Sequence, residues 1–384
     1  MHVGIVAPCS SGPLADLLPK SGGVNLGWGA HFMAPLVRAL IRRGHRVSVV
    51  TLSPEITQKQ ILAGDYLTYY VYPTRLRRRM RDWFKVEREG LVEGICTAKP
   101  DLLHAHWTYE FALACMETSF PMLVTSHDNG LQVLRYQRDL YRLGRLCMQI
   151  SVLRSARFIT AVSPYVADSL RWLTKSDIAV VGNPIELAHC RGDNYNPASG
   201  PVRIATSLMG WGKLKNPQAA IRAFALLRRE MPDAEMFMYG IDFEEKGVAS
   251  RWATANSSAE GIRFRGFLQP VNLQQELRGM SMLLHPSLEE ACPMALLEAM
   301  AQGLPVVAGD DAGGVPWVLD KGRAGFLTDV RDPQKIAQAM ITCVRNDEER
   351  EQKRSNAYKR VSTLFSPESV AEQYERIYER VLAS

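Results

Sequence analysis

Ser287-Leu288-Glu289-Glu290-Ala291-Cys292-Pro293-Met294-Ala295-Leu296-Leu297-Glu298-Ala299-Met300-Ala301-Gln302-Gly303-Leu304-Pro305-Val306-Val307 reads as a loop, a helix and the opening of a strand. Pro293 suits a first helical turn, where the N–H it lacks would have no partner. Gly303 followed by Pro305 stops the helix before the strand. With the apolar run Met282–His285 just ahead, the stretch is strand, loop, helix, strand: the repeating unit of a parallel sheet covered by helices.

The same alternation extends in both directions. Strands are predicted at Val3–Ala7, Arg46–Thr51, Leu67–Tyr72, Leu102–His106, Met122–Ser126, Phe158–Val162 and Ile178–Val181, then at Val202–Ser207, Ala234–Tyr239, Ile262–Gly266, Met282–His285, Pro305–Ala308 and Gly325–Leu327. Between the two series, Arg191 to Pro201 is polar and rich in Gly, Pro and Asn, as linkers between domains are. Roughly the last fifty residues read as helix alone, with Ser366 capping a final helix that carries Glu368 near its start. The expected organisation is a first α/β domain over residues 1–190, a linker over 191–201, a second α/β domain over 202–365, and a C-terminal helix over 366–384 that crosses back to the first domain. Two doubly wound, Rossmann-like domains in tandem would face a cleft between the carboxyl ends of their strands, so the site is expected to draw on both.

Composition bounds the class. A chain of 384 residues, 46% hydrophobic and 22% charged, can bury two cores and is not of the disordered type. The N-terminus enters Val3-Gly4-Ile5-Val6-Ala7 with neither a basic segment nor a long apolar run, which predicts no signal peptide, no membrane span and a cytoplasmic location. Seven cysteines (Cys9, Cys96, Cys115, Cys147, Cys190, Cys292, Cys343) are odd in number and scattered, so reduced thiols are expected rather than disulfides or structural zinc.

The net charge of +6 is unevenly shared: residues 1–190 hold 22 Lys and Arg against 15 Asp and Glu, the remainder 24 against 25. Part of the excess is Arg75, Arg77, Arg78, Arg79, Arg81, Lys85 and Arg88, interleaved with Leu76, Met80, Trp83, Phe84 and Val86. Such a segment suits contact with anionic headgroups of a membrane surface, and it also reads as a solvated helix face. No nucleic-acid partner is expected.

Amides from Cys292 to Ala295 would leave the helix start unpaired, a ready site for a diphosphate. Glu290 lies in the loop before the helix and Glu298 about a turn and a half inside it, so the two can reach opposite ends of one ligand whose middle the amides hold. A carboxylate accepts two hydroxyl hydrogen bonds, which suits a ribose or a hexose. A helix-terminal charge and a solvated side chain would account for the same two letters. A second phosphate-binding candidate is Gly210-Trp211-Gly212-Lys213-Leu214-Lys215-Asn216-Pro217, where glycines allow close approach and Lys213 and Lys215 supply charge.

In the first half, Ser21-Gly22-Gly23-Val24-Asn25-Leu26-Gly27-Trp28-Gly29 follows the first strand and reads as a mobile lid. It is not the short Gly-x-Gly-x-x-Gly turn of dinucleotide enzymes. His104, His106 and His127, the last followed by Asp128, mark strand ends. No Asp-x-Asp element or carboxylate cluster accompanies them, so no metal site is expected.

The Glu290-to-Val307 stretch resembles the signature of the GT-B-fold, retaining glycosyltransferases of family 4 (glycosyl transferases group 1). There a Glu, seven residues and a second Glu precede an Ala-Met-Ala-x-Gly-x-Pro-Val-Val run, and the resemblance continues over almost the whole chain. It implies an enzyme that moves a hexose or N-acetylhexosamine from a nucleotide diphosphate sugar, UDP- or GDP-linked, to a hydroxyl of an acceptor glycan or lipid-linked sugar. Retention, no cofactor beyond the sugar nucleotide, and a place in bacterial cell-surface polysaccharide or glycolipid synthesis are implied with it.

By that resemblance Glu298 holds the ribose, Glu290 faces the donor-sugar hydroxyls, and the amides of Cys292, Pro293's neighbours and Met294 bind the diphosphate with Lys215. Gly23 belongs to the loop that closes over the donor, and Gly313-Gly314-Val315-Pro316 matches a glycine-bearing loop. His127, in a Thr-x-His-Asp strand end, lies beside the donor sugar, with His106 and Asp128 on the acceptor side. One departure stands out: where the family carries an arginine after a glycine, this chain has Ser207-Leu208-Met209-Gly210. Lys213 is the candidate substitute, as a point charge without the arginine fork. Rival expectations are a nucleotide-sugar epimerase on the same frame and a non-catalytic sugar-nucleotide sensor.

Overall fold

The computed structural model describes residues 1–18, 25–30, 32–187 and 200–384, in two units: Met1–Glu186 with Pro367–Ser384, and Leu187–Ser366. In the first unit the strands are β1 (His2–Val6), β2 (Arg46–Ser53), β3 (Gln60–Ala63), β4 (Leu67–Pro73), β5 (Leu102–His106), β6 (Met122–Ser126), β7 (Ile159–Ala161) and β8 (Ile178–Val180). They pair in the order β3-β4-β2-β1-β5-β6-β7-β8, parallel throughout except for β3 against β4. The central strands are buried on both faces, which is why they read as continuous runs such as Val3-Gly4-Ile5-Val6 rather than as alternating ones.

The edge strand β3 escapes the sequence pattern. Of its four residues only Leu62 is buried, while Ile61 is exposed, so neither alternation nor an apolar run announces it. Tyrosines of β4 face its two middle residues, Tyr70 opposite Ile61 and Tyr69 opposite Leu62.

The second unit holds β9 (Arg203–Ser207), β10 (Glu235–Tyr239), β11 (Ile262–Gly266), β12 (Met282–His285), β13 (Val306–Gly309) and β14 (Phe326–Thr328), all parallel, in the order β11-β10-β9-β12-β13-β14. Strand order reverses between β9 and β12 here, and between β1 and β5 in the first unit. Loops leaving neighbouring strands at such a point run in opposite directions and open a crevice.

The last helix, Pro367–Leu382, belongs to the first unit. It buries Val370, Ala371, Tyr374, Tyr378 and Val381 in that unit's core beside the helix Met33–Arg42. Glu375 fastens it, accepting from Arg43 at 2.7 and 2.6 Å and lying 2.7 Å from His45 Nε2. Tyr378 reaches further in, its hydroxyl 2.7 Å from His104 Nδ1, while His104 Nε2 stands 2.7 Å from Thr125 Oγ1. Burial, and then the neighbouring His127, keep His104 neutral by pushing its pKa well below the usual value. One nitrogen therefore donates and the other accepts, and both are satisfied. His104 is a core histidine.

The basic segment between β4 and the helix Lys85–Ala98 is partly structural. Arg75 is tied to Asp82 at 2.8 Å and to the fully buried Glu87 at 2.6 Å, Arg88 to Glu117, and Phe84 is buried. Leu76, Trp83 and Val86 are exposed. Among the described residues no helix is long and apolar enough to cross a membrane.

Tyr378→Phe removes the partner of a buried imidazole nitrogen while keeping the ring. It should destabilise the first unit by about 1–3 kcal/mol, read as a lower urea midpoint with unchanged slope; an unchanged midpoint would show that His104 finds another partner.

Candidate active site

In the second unit the switch point gathers the loops after β9 and β12. The first starts under a tight constraint: at Gly240, φ 121°, a Cβ would lie 1.7 Å from the Leu208 carbonyl oxygen. Gly210 turns the chain at φ 94°, and the Asp242 carboxylate accepts the Trp211 amide at 3.0 Å. Asn216 then sits in the left-handed region at φ 52°, ψ 41°, which asparagine tolerates better than most residues, and Pro217 opens the helix Pro217–Glu230. Asn216 Nδ2 donates to the carbonyls of Pro286 at 3.2 Å and Val330 at 2.7 Å, and the Leu288 amide donates to Leu214 at 2.8 Å. These bonds lace the two loops together.

Lys215 is thereby delivered to Glu290, Nζ to Oε1 at 2.5 Å. His285 at the end of β12 approaches the same oxygen, Nε2 at 3.2 Å, and its Nδ1 is buried without a hydrogen-bond partner among the described residues. Burial works against ionisation of Glu290, but Lys215 and His285 outweigh it and hold the carboxyl well below the usual carboxylate range. The Glu290 carbonyl accepts the Gly314 amide at 2.7 Å, so the Gly313–Gly314 loop is pinned to this residue as well.

Pro293 is the residue before the helix, not in its first turn. Its ψ of 114° is extended and the helix runs Met294–Ala301. Its carbonyl accepts from Leu296 and Leu297, and the amides of Met294 and Ala295, at the first two helical positions, lie outside the helical ladder. Cys292 and Pro293 are buried beneath this start. Glu298 is half-buried and its carboxylate meets no hydrogen-bond donor among the described residues; burial alone raises it to about 7. The two glutamates, eight positions apart, thus sit in opposite states. Lys213 is exposed and has no acidic partner among the described residues.

In the first unit, His106 Nδ1 and His127 Nε2 are 2.9 Å apart at the ends of β5 and β6. Burial lowers His127 to about 3 and takes His106 well below its ordinary value, with His104 and His127 adding to the latter, so both are neutral. Asp128 is directed to Tyr109, whose hydroxyl donates to it at 2.7 Å. Gly23 lies outside the described residues. The near end of its loop is strapped down: Asn25 Oδ1 accepts from Ser10 at 2.6 Å and the Gly12 amide at 2.9 Å, and a Cβ on Gly27 would lie 2.2 Å from the Cys9 carbonyl oxygen.

Three further residues gain importance from the structure: Trp107, Arg145 and His285. Trp107 holds a left-handed φ of 69° and stacks on His127 at 4.2 Å. With Trp28, Tyr141, Arg79 and Arg145 it lines a cavity of about 310 Å³. His285 is the third. A strand-terminal position was the only sequence signal for Trp107 and His285, and Arg145 gave none. Among the described residues no three His, Cys, Asp or Glu side chains are gathered as metal ligands would be.

Residues 29–189 match the family model described as Glycosyltransferase Family 4, and residues 203–360 that described as Glycosyl transferases group 1. The chain belongs to this family of transferases. It is 25% identical over 371 residues to N-acetyl-alpha-D-glucosaminyl L-malate synthase of Bacillus anthracis, over 90% of this chain and 92% of that protein. Among solved structures it is similar to sucrose-phosphate synthase of Thermosynechococcus elongatus, with a TM-score of 0.78 at 18% identity over 100% of this chain and 99% of that one. HepE of Anabaena, solved in complex with UDP and glucose, gives 0.71 at 16% identity over 99% and 100%. The fold is therefore of the GT-B class.

Lys215→Met leaves Glu290 buried without its main counter-charge. Its titration, followed by the carboxyl carbon shift, should move upward into or above the ordinary carboxylate range; no movement would mean that Lys215 does not set its charge.

Proposed function

We propose that the second unit binds a nucleotide diphosphate sugar and that the enzyme transfers its hexose or N-acetylhexosamine to an acceptor hydroxyl, with retention and without a metal ion. The observation that carries this is the pair of carboxylates at one switch point, Glu290 ionised against Lys215 and Glu298 half-buried without a hydrogen-bond partner among the described residues. A partnerless carboxylate inside a helix has no stabilising role in the fold, and two vicinal ribose hydroxyls would satisfy it. The relatives support the donor class: one carries an N-acetylglucosaminyl name, and HepE was solved with UDP and glucose.

Binding proceeds by exchange. The diphosphate meets the amides of Met294 and Ala295 with Lys213 and Lys215, and Lys215 trades Glu290 for phosphate. Glu290 Oε1 is then free to accept donor-sugar hydroxyls. Charge growing on the departing diphosphate is stabilised by groups already in place, and that phosphate takes the acceptor proton. His127 in the first unit, kept neutral by burial, is suited to hydrogen bonding and not to proton donation.

The acceptor in this reading is a lipid-linked or membrane-surface glycan met in the cytoplasm at the inner membrane face, in polysaccharide or glycolipid synthesis. Exposed Leu76, Trp83 and Val86 among arginines support it.

Thermal shift with UDP, GDP and ADP, followed by hydrolysis of the matching sugar donors, tests the donor. Glu290→Ala should retain nucleotide binding and lower turnover by about 10²–10³-fold. Formation of an epimer when donor is supplied without acceptor would sink transfer as the primary activity.

Glu298 adds a pH signature. It must be ionised to accept ribose hydroxyls, so nucleotide affinity should fall as pH drops through about 7. Glu298→Gln should bind weakly at every pH and lose that dependence; a dependence that survives in the variant would assign it elsewhere.

A further inference from the structure

The helix Gly130–Tyr136 in the first unit buries only its first residue. Leu131 on it, and Leu140 and Leu143 on the following helix Leu140–Ser155, are exposed, Leu140 to 84%. With Leu134, Arg135 and Arg138 they line an open groove of about 720 Å³ in which the four leucines supply the apolar surface. Single exposed leucines need no explanation, but a shared apolar groove does.

The groove does not stand alone. The basic segment after β4 leans on the same second helix: Met80 packs over Gly144 so closely that a Cβ there would lie 2.5 Å from its Sδ, and the rings of Phe84 and Tyr141 are 6.4 Å apart. Leu76, Trp83 and Val86 are exposed on that segment. Around both, Arg77, Arg78, Arg81, Arg135 and Arg138 pair with no carboxylate among the described residues. Asp139, the acid of the hairpin, is taken up by the Arg142 amide and guanidinium.

We propose that the leucine groove of residues 131–143 and the segment Leu76–Val86 together form a seat on an anionic lipid bilayer, the groove taking acyl chains and the arginines the headgroup phosphates. Grouped leucines and a tryptophan set among guanidinium groups that pair with no carboxylate are the chemistry of shallow insertion into a negatively charged interface. A second copy of the chain is a poor occupant, because a two-fold contact would set these arginines against themselves. The proposal extends the basic strip to a new apolar element and does not depend on glycosyl transfer, since bilayer binding is measured without donor.

The test is co-sedimentation of the full chain with vesicles of equal phosphatidylglycerol and phosphatidylcholine, and with phosphatidylcholine alone. Wild type should partition to the anionic vesicles and far less to the neutral ones. L131Q/L140Q/L143Q should lower that partition at least tenfold, and R77Q/R78Q/R81Q on the order of 100-fold at low salt. Both variants should keep the wild-type melting temperature and its shift with nucleotide. Equal partition of wild type and the leucine variant would overturn the groove's role. So would a leucine variant that changes the oligomeric state in gel filtration instead, which would assign the groove to self-association. Loss of the nucleotide shift in wild type would count against the transferase reading alone.

Discussion

The Lys215–Glu290 ion pair joins charges 75 residues apart, and it exists because β9 and β12 run side by side where the strand order of the second sheet reverses. Without that adjacency the two loops would leave distant strands. Asn216 makes the meeting reliable, since its side chain bonds carbonyls of two other loops while its backbone occupies a conformation few residues accept. In this half-buried setting burial works against ionisation of Glu290, and the Lys215 ammonium offsets it while standing beside a helix start.

The first unit solves a different problem. It brings three imidazoles to the ends of two neighbouring strands, where three charges would repel. Burial keeps all three neutral, and each neutral ring then needs one donor and one acceptor arrangement. His104 finds it in Tyr378 and Thr125, while His106 meets His127, which also engages Asn183. His106 Nε2 is buried without a partner among the described residues, so the pair's hydrogen-bonding capacity is not used up by the fold.

Strands buried on both faces leave a loud trace in a sequence, and so the parallel sheets were readable from runs such as Val47–Val50. An edge strand with one buried residue leaves almost none, and β3 went unseen. Within the site, Glu290, Glu298 and Lys215 were legible because a helix start and a glycine loop set their spacing locally. Pro293 was misplaced by one position, since proline's fixed φ suits both the first turn and the residue before it, and only ψ separates them. His285, Trp107 and Arg145 depend on which strands become neighbours, and chain spacing does not carry that information.

The final helix has a consequence for how the chain is made. A ribosome releases the first unit's strands early, then the 180 residues from Leu187 to Ser366, and only afterwards the helix that holds Tyr378. At typical elongation rates of about 5–20 residues per second, the wait is roughly ten to forty seconds. During it the face of the nascent sheet that Val370, Tyr374 and Tyr378 will cover is bare, and His104 Nδ1 lacks its partner. The first unit thus starts to emerge before the second and cannot be completed before it.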